Sequence, residues 1–174
     1  MSQAKVRVCF VCLGNICRSP TAEGVFLSLI ARAGLASQIA VDSAGTAAFH
    51  VGERPDPRTL AAAARRGYPL PSVARKFVVA DFHAFDLVLA MDRKNWVDLT
   101  RLRAPGAGSA ELHLLRSFEP EAPADLDVPD PYYGGADGFE RVIDICERAC
   151  CGLLSELRAR YKLDGEHFET KSEP

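Results

Sequence analysis

A chain of 174 residues fits one domain, since domains commonly take roughly 100 to 200 residues. Its composition, 48% apolar and 25% charged, excludes disordered, collagen-like and membrane-embedded classes. With 21 Lys and Arg against 23 Asp and Glu, the net charge is −2 and no run of five like charges is present, so neither a nucleic-acid footprint nor a polybasic membrane patch is expected.

Val6 to Cys12 is a nearly continuous β-branched and aromatic run, the pattern of a strand buried on both faces. Gly14 and Asn15 end it. Ser19 is then placed to cap a helix, with Pro20 at its first position and Glu23 in its first turn. Ala22, Val25, Phe26, Leu29, Ile30 and Ala33 form its apolar stripe, and Gly34 stops it. The alternation continues with a strand at Ile39 to Ser43, an Ala-rich helix from Pro57 to Arg66 closed by Gly67, and a strand at Leu87 to Met91. A helix from about Arg93 to Leu102, a strand at Glu111 to Leu115 and a loop containing Pro120, Pro123, Pro129 and Pro131 follow. The last element is a long helix whose stripe runs from Phe139 to Leu157. Four strands alternating with helices predict an α/β fold, a small doubly wound parallel sheet flanked by helices, with a phosphate loop after the first strand. Residues 1–162 are expected to form the single domain and 163–174 a polar tail, frayed from Glu166 onward.

No membrane span is expected, because the apolar stretch from Phe77 to Met91 is broken by Asp81, His83 and Asp86. The basic and apolar start loosely imitates a secretory signal, but its apolar run is only about eight residues and no small-residue cleavage pattern follows. The six cysteines crowd into two groups, Cys9, Cys12 and Cys17, then Cys146, Cys150 and Cys151. A disulfide framework would space them out, so reduced thiols and a cytoplasmic location are expected. Neither group has zinc-finger spacing, and no metal is expected.

In open parallel sheets ligands bind outside the carboxyl ends of the strands, and the turn into the first helix is an anion cradle because its amides are unpaired. That turn reads Cys12, Leu13, Gly14, Asn15, Ile16, Cys17, Arg18, Ser19, Pro20. It has neither nucleotide P-loop nor dinucleotide-loop spacing. Instead it offers a thiol at the entry, an arginine six residues later and then a hydroxyl. The amides and the planar Arg18 fork suit a dianionic phosphoryl group. The same field favours a thiolate at Cys12, and Ser19 can donate to that sulfur as it leaves. A sulfur ionised beneath a bound phosphate is set for in-line attack and a phosphocysteine intermediate. Chance alone supplies about half a Cys-x5-Arg pair in such a chain, so the weight lies on where this one falls.

The stretch Val11 to Pro20, the later Asp130-Pro-Tyr-Tyr-Gly134, and between them Val41 to Ala44, Val51-Gly52, Pro55 to Arg58 and Met91-Asp92 resemble the low-molecular-weight protein tyrosine phosphatases. Order and spacing agree from about Val6 to Leu157. The resemblance implies Cys12 as nucleophile, Arg18 as phosphate ligand, Ser19 as activator of the leaving thiolate and Asp130 as general acid, with no cofactor. It further implies Leu13, Gly14, Asn15, Ile16 and Cys17 around the phosphate, with Asn15 in a left-handed conformation and Ser43 supporting the loop from the second strand. Phe49 and Tyr132 would wall an aromatic slot, with Tyr133 alongside. Relatives that prefer phosphoarginine carry Thr where this chain has Ile16, which favours phosphotyrosine proteins as partners. Cys17 matches a cysteine that can trap an oxidised nucleophile as a disulfide, and Asp56 and Asp92 match positions that cap loops or helices. Ser72 stands where some relatives have a His near the phosphate loop.

An acid is wanted on chemical grounds too. A tyrosyl oxygen leaves as a phenolate of pKa about 10, and protonating it is worth roughly 10² to 10⁴ in rate. Activity should then fall on both sides of an optimum. Cys9 reads as core, and Cys146, Cys150 and Cys151 as core or buried rim of a helix. His50, His83, His113 and His167 are scattered, without motif spacing to Cys12. Two other functions fit the loop less well. A thioredoxin-linked arsenate reductase of the same fold needs further relay cysteines, which Arg75 to Asn95 lacks, and a non-catalytic phosphotyrosine-binding module would not need all four chemical groups. The oligomeric state is left open.

Overall fold

The computed structural model of the chain describes residues 3–165. Four parallel strands, β1 (Val6–Cys12), β2 (Ile39–Gly45), β3 (Leu87–Ala90) and β4 (Glu111–Leu114), lie in the order β2-β1-β3-β4. The helices are α1 (Arg18–Arg32), α2 (Pro57–Arg65), the short α3 (Asp81–Ala84), α4 (Arg93–Leu102) and α5 (Asp137–Tyr161).

Strand periodicity sorts the core into two layers. Val6, Val8, Phe10 and Cys12 face one way and meet Phe26, Ile30, Val142, Ile143, Cys146 and Cys150 of α1 and α5. Cys9 and Val11 face the other way, toward Phe77, Phe82 and Leu99. Both faces are therefore covered, which is why β1 is apolar throughout instead of alternating. Edge-to-face pairs fix each layer, Phe10 with Phe26 at 5.7 Å and Phe77 with Phe82 at 5.0 Å. Both α1 and α2 end as their glycines require. Gly34 (φ 67°) and Gly67 (φ 79°) are left-handed, and the Leu35 and Tyr68 N–H groups reach back to the Ile30 and Ala63 carbonyls.

Several expectations need correction. Helix α1 starts at Arg18, one residue before the expected cap, so the Ser19 hydroxyl does not cap it. The loop places the Ser19 hydroxyl against the sulfur of Cys12 instead. Glu23 is accordingly outside the first turn and buried. Strand β4 ends at Leu114, and Leu115–Phe118 coil into a 3-10 turn. Helix α3 carries too few residues to show a period. Cys151 is exposed, while Cys9, Cys146 and Cys150 are buried as read. The expected frayed segment from Glu166 lies outside the described residues; Leu163 before it is buried against the core.

The strand order reverses between β1 and β3. Cys12 at the end of β1, Gly45 at the end of β2 and Asp92 just beyond β3 thus meet at the switch point, the crevice where open sheets bind ligands.

Candidate active site

Residues 13–17 curl from β1 into α1, and among the described residues the N–H groups of 13–18 make no hydrogen bond to the protein. Six unpaired donors beside a helix N-terminus form an anion cradle. Asn15 carries the reversal with φ 56°, a conformation Asn tolerates, and its side chain is bonded at every atom that can bond. Its Nδ2 donates to Ser19 Oγ (2.8 Å) and Ser43 Oγ (3.0 Å), and its Oδ1 accepts from the Arg75 N–H (3.0 Å). Ser43 in turn donates to Glu23 Oε2 at 2.6 Å. Burial pushes the Glu23 carboxyl up from its ordinary value, the Ser43 hydrogen bond opposing it and nearby Asp42 adding to it. Ser72 faces the same carboxyl without a well-formed hydrogen bond.

Cys12 is buried at the bottom of the curl, with its Sγ 3.0 Å from Ser19 Oγ. Arg18 is only 3% exposed. Its Nη1 donates to Asp92 Oδ2 at 2.5 Å and to the Val128 carbonyl at 3.1 Å. Its Nη2 lies 3.6 Å from Asp130 Oδ2, and the residue lines the cleft. Burial disfavours the guanidinium charge, but Cys12, Asp92 and Asp130 outweigh it and hold Arg18 protonated.

One cleft of about 190 Å³ collects these groups: Cys12, Leu13, Gly14, Ile16, Cys17 and Arg18 form its floor. Phe49, Tyr132 and Tyr133 form the rim with Asp130, Phe49 being 76% and Tyr133 92% exposed. All the residues expected at the site meet here, with Asn15, Ser19 and Ser43 in a supporting layer behind. Cys17 is buried and its thiol is pushed up to about 12, chiefly by burial.

Four residues at or beside the site were not anticipated in these roles. His50 also lines the cleft; its Nδ1 is 2.8 Å from Glu53 Oε2, and its ring lies where a Cβ on Gly14 would come within 3.0 Å. Asp92 caps α4 as expected, accepting from the Asn95 N–H at 2.7 Å, but its second oxygen grips Arg18. Glu23 looked like a helix-start charge and is the buried end of the Asn15–Ser43 chain. Gly45 lets β2 run against the loop, a Cβ there coming within 2.7 Å of the Leu13 carbonyl. A polar residue at a strand's carboxyl end, as at Asp92, was the only signal of these in the sequence. Among the described residues no group of three His, Cys, Asp or Glu side chains could hold a metal ion, and no helix is long and apolar enough to cross a membrane.

Comparison with known proteins bears on the same region. A sequence model of the family described as low molecular weight phosphotyrosine protein phosphatase matches residues 7–163. A low molecular weight protein-tyrosine-phosphatase of Streptomyces coelicolor is 50% identical over 153 residues, covering 87% of this chain and 93% of that protein. A human low molecular weight phosphotyrosine protein phosphatase is 41% identical over 155 residues, covering 88% and 97%. Among solved structures, a protein tyrosine phosphatase of Entamoeba histolytica with Hepes in its active site superposes with a TM-score of 0.84 at 40% identity, over 91% of this chain and 99% of that one.

Proposed function

The chain belongs to the low molecular weight phosphotyrosine protein phosphatases, and on that premise we propose that Cys12, Arg18, Ser19 and Asp130 divide its chemistry among them. The enzyme is a phosphoric monoester hydrolase that removes phosphate from phosphotyrosine through a phosphocysteine. The observation that carries the residue assignment is convergence: a sulfur, a buried guanidinium and a carboxyl line one cleft at a strand's carboxyl end, with a buried hydroxyl 3.0 Å from the sulfur behind them.

The phosphoryl oxygens take the loop amides and the Nε–Nη2 edge of Arg18. Asp92 and Val128 hold the other edge, so the fork is preset before substrate arrives. Cys12 attacks phosphorus as the thiolate. The S–P bond forms, the P–O bond to the tyrosyl ring breaks, and Asp130 gives its proton to the departing oxygen. In the second half Asp130 takes a proton from water, whose oxygen attacks phosphorus while the S–P bond breaks. Ser19 then donates its hydroxyl hydrogen bond to the returning thiolate. Inorganic phosphate leaves and no cofactor enters.

Phe49 and Tyr132 flank the approach, with Tyr133 beside them, so a flat phenyl ring fills the slot and a shorter phosphoserine side chain does not reach the floor. Tyrosine-phosphorylated proteins are thus the substrates. Residues 1–162 form the catalytic domain, with Leu163 packed into its core as well, and the polar residues after it are the tail. The six free thiols suit a reducing compartment and support a cytoplasmic location.

The test is chemical trapping. Acid-quenched enzyme turning over a phosphotyrosyl peptide labelled in its phosphate should carry label on the peptide containing Cys12, and Cys12→Ser should carry none. Label on another residue, or turnover by Cys12→Ser, would overturn the assignment.

A further inference from the structure

The loop that delivers Asp130 is held in an unusual way. From Pro129 to Gly134 its hydrogen bonds are local: the Gly134 N–H donates to the Pro131 carbonyl at 3.2 Å and the Tyr132 N–H to Asp130 Oδ1 at 3.1 Å. Pro131 is buried, but apolar packing is non-directional and fixes depth better than orientation. Among the described residues, a single hydrogen bond joins the backbone of this stretch to another part of the protein. It runs from Arg58 Nη1 to the Tyr132 carbonyl at 3.2 Å.

Arg58 is itself fixed from behind. Its Nε and Nη2 donate to the two oxygens of Asp56 at 3.0 and 2.9 Å, a fork-to-fork pair. Its guanidinium carbon lies 5.2 Å from the centre of the Tyr132 ring and 4.9 Å from that of Phe139, within cation–π range of both. Asp56 is almost fully buried, and its N–H donates to the Ile16 carbonyl at 2.9 Å. One continuous strut therefore runs Ile16, Asp56, Arg58, Tyr132, from the loop that holds the phosphoryl group to the loop that supplies the proton.

We infer that Arg58 is a positioning residue for proton transfer: its planar fork sets Tyr132, and with it the Asp130 carboxyl two residues away, relative to the phosphate loop. The inference rests on Asp130 being the general acid. Lysine cannot replace it, because one ammonium group does not chelate Asp56 and reach the Tyr132 carbonyl in a fixed plane. Misplacing a catalytic group by an ångström can cost about 10²-fold, so the strut has consequences for rate out of proportion to its exposure.

The distinguishing readout is leaving-group dependence. Arg58→Gln, Arg58→Lys, Asp130→Ala and the Arg58→Gln/Asp130→Ala double variant are compared by kcat/KM on phenyl phosphate, whose leaving oxygen needs the acid, and on p-nitrophenyl phosphate, whose activated leaving group needs it far less. Arg58→Gln and Arg58→Lys should each lose about 10-fold or more on phenyl phosphate and about twofold or less on p-nitrophenyl phosphate. The double variant should be no slower on phenyl phosphate than Asp130→Ala alone, since both changes remove one function. Arg65→Gln, an exposed neighbour on α2 paired with Glu140, should behave as wild type. Equal losses on both substrates, or losses that multiply in the double variant, would overturn the inference and leave the acid assignment standing. An Asp130→Ala enzyme without leaving-group dependence would remove the acid assignment and this inference with it.

Discussion

Ser19 Oγ lies 3.0 Å from Cys12 Sγ, and the same oxygen accepts a hydrogen bond from Asn15 Nδ2 at 2.8 Å. With a lone pair engaged by Asn15, the hydroxyl hydrogen is left to two acceptors, the Cys12 sulfur at 3.0 Å and the more distant Ala44 carbonyl at 3.4 Å. The Arg75 N–H on Asn15 Oδ1 prevents the amide from flipping, so the orientation is held by the backbone and not by chance. A hydrogen bond to a charged group contributes about 1.5 to 3 kcal/mol, roughly 10- to 150-fold in rate. Ser19→Ala should slow decay of the phosphoenzyme by that factor in rapid-quench measurements. Decay at the wild-type rate would show that the contact has no part in thiolate departure.

Asp92 serves two masters with two oxygens, one on the Asn95 N–H and one on Arg18. The two functions separate by substitution. Asp92→Asn keeps a cap, since Asn caps about as well as Asp, but turns an amide toward Arg18. It should melt within a few degrees of wild type while KM for a phosphotyrosyl peptide rises. Asp92→Ala should lose activity and also about 0.5 to 2 kcal/mol of stability in denaturant titration. An Asp92→Asn enzyme with unchanged KM would mean that Arg18 is preset without it.

Glu23 gives a pH signature to stability. The residue is 6% exposed, and burial raises its carboxyl above the ordinary 4.5. A group whose pKa is higher folded than unfolded binds its proton more tightly in the native state. Its contribution is therefore complete below pH 4.5 and declines as pH rises through the raised folded value. Glu23→Gln keeps an acceptor for Ser43 and removes the titration. The stability of the variant relative to wild type should thus increase from acid toward neutral pH, measured by urea midpoints across that range. A difference that does not vary with pH would contradict the buried, proton-binding state of Glu23.

Gly45 is where β2 touches the phosphate loop. A Cβ there would sit 2.7 Å from the Leu13 carbonyl and 3.2 Å from the Asn15 nitrogen, both backbone atoms that cannot rotate away. Gly45→Ala should therefore cost about 1 to 3 kcal/mol in stability, the range for overpacking. It should also weaken competitive inhibition by inorganic phosphate, because the curl must open to relieve the contact. Retained phosphate inhibition at reduced stability would place the strain in the strand instead.

The alternation of strands and helices was legible because each element carries its own period and its own stop, as at Gly34 and Gly67. The loop was legible because the required chemistry falls within nine consecutive residues, Cys12 to Pro20, and Asp130 through its resemblance to a family segment. Ser19 was misread as a cap, since Ser before Pro at a helix start is the ordinary capping signal and nothing local reveals a sulfur within reach.

Chain order and residue type thus determined that a thiol and an arginine would flank one anion-binding turn at the end of a buried strand. Only the folded chain decided what holds them. Asp92 reaches Arg18 across 74 residues, Ser43 reaches Asn15 across 28, and Arg58 reaches Tyr132 across 74. Hydrogen bonds are short and directional, so these partners exist only once the sheet has ordered its strands and brought their carboxyl ends to a common edge.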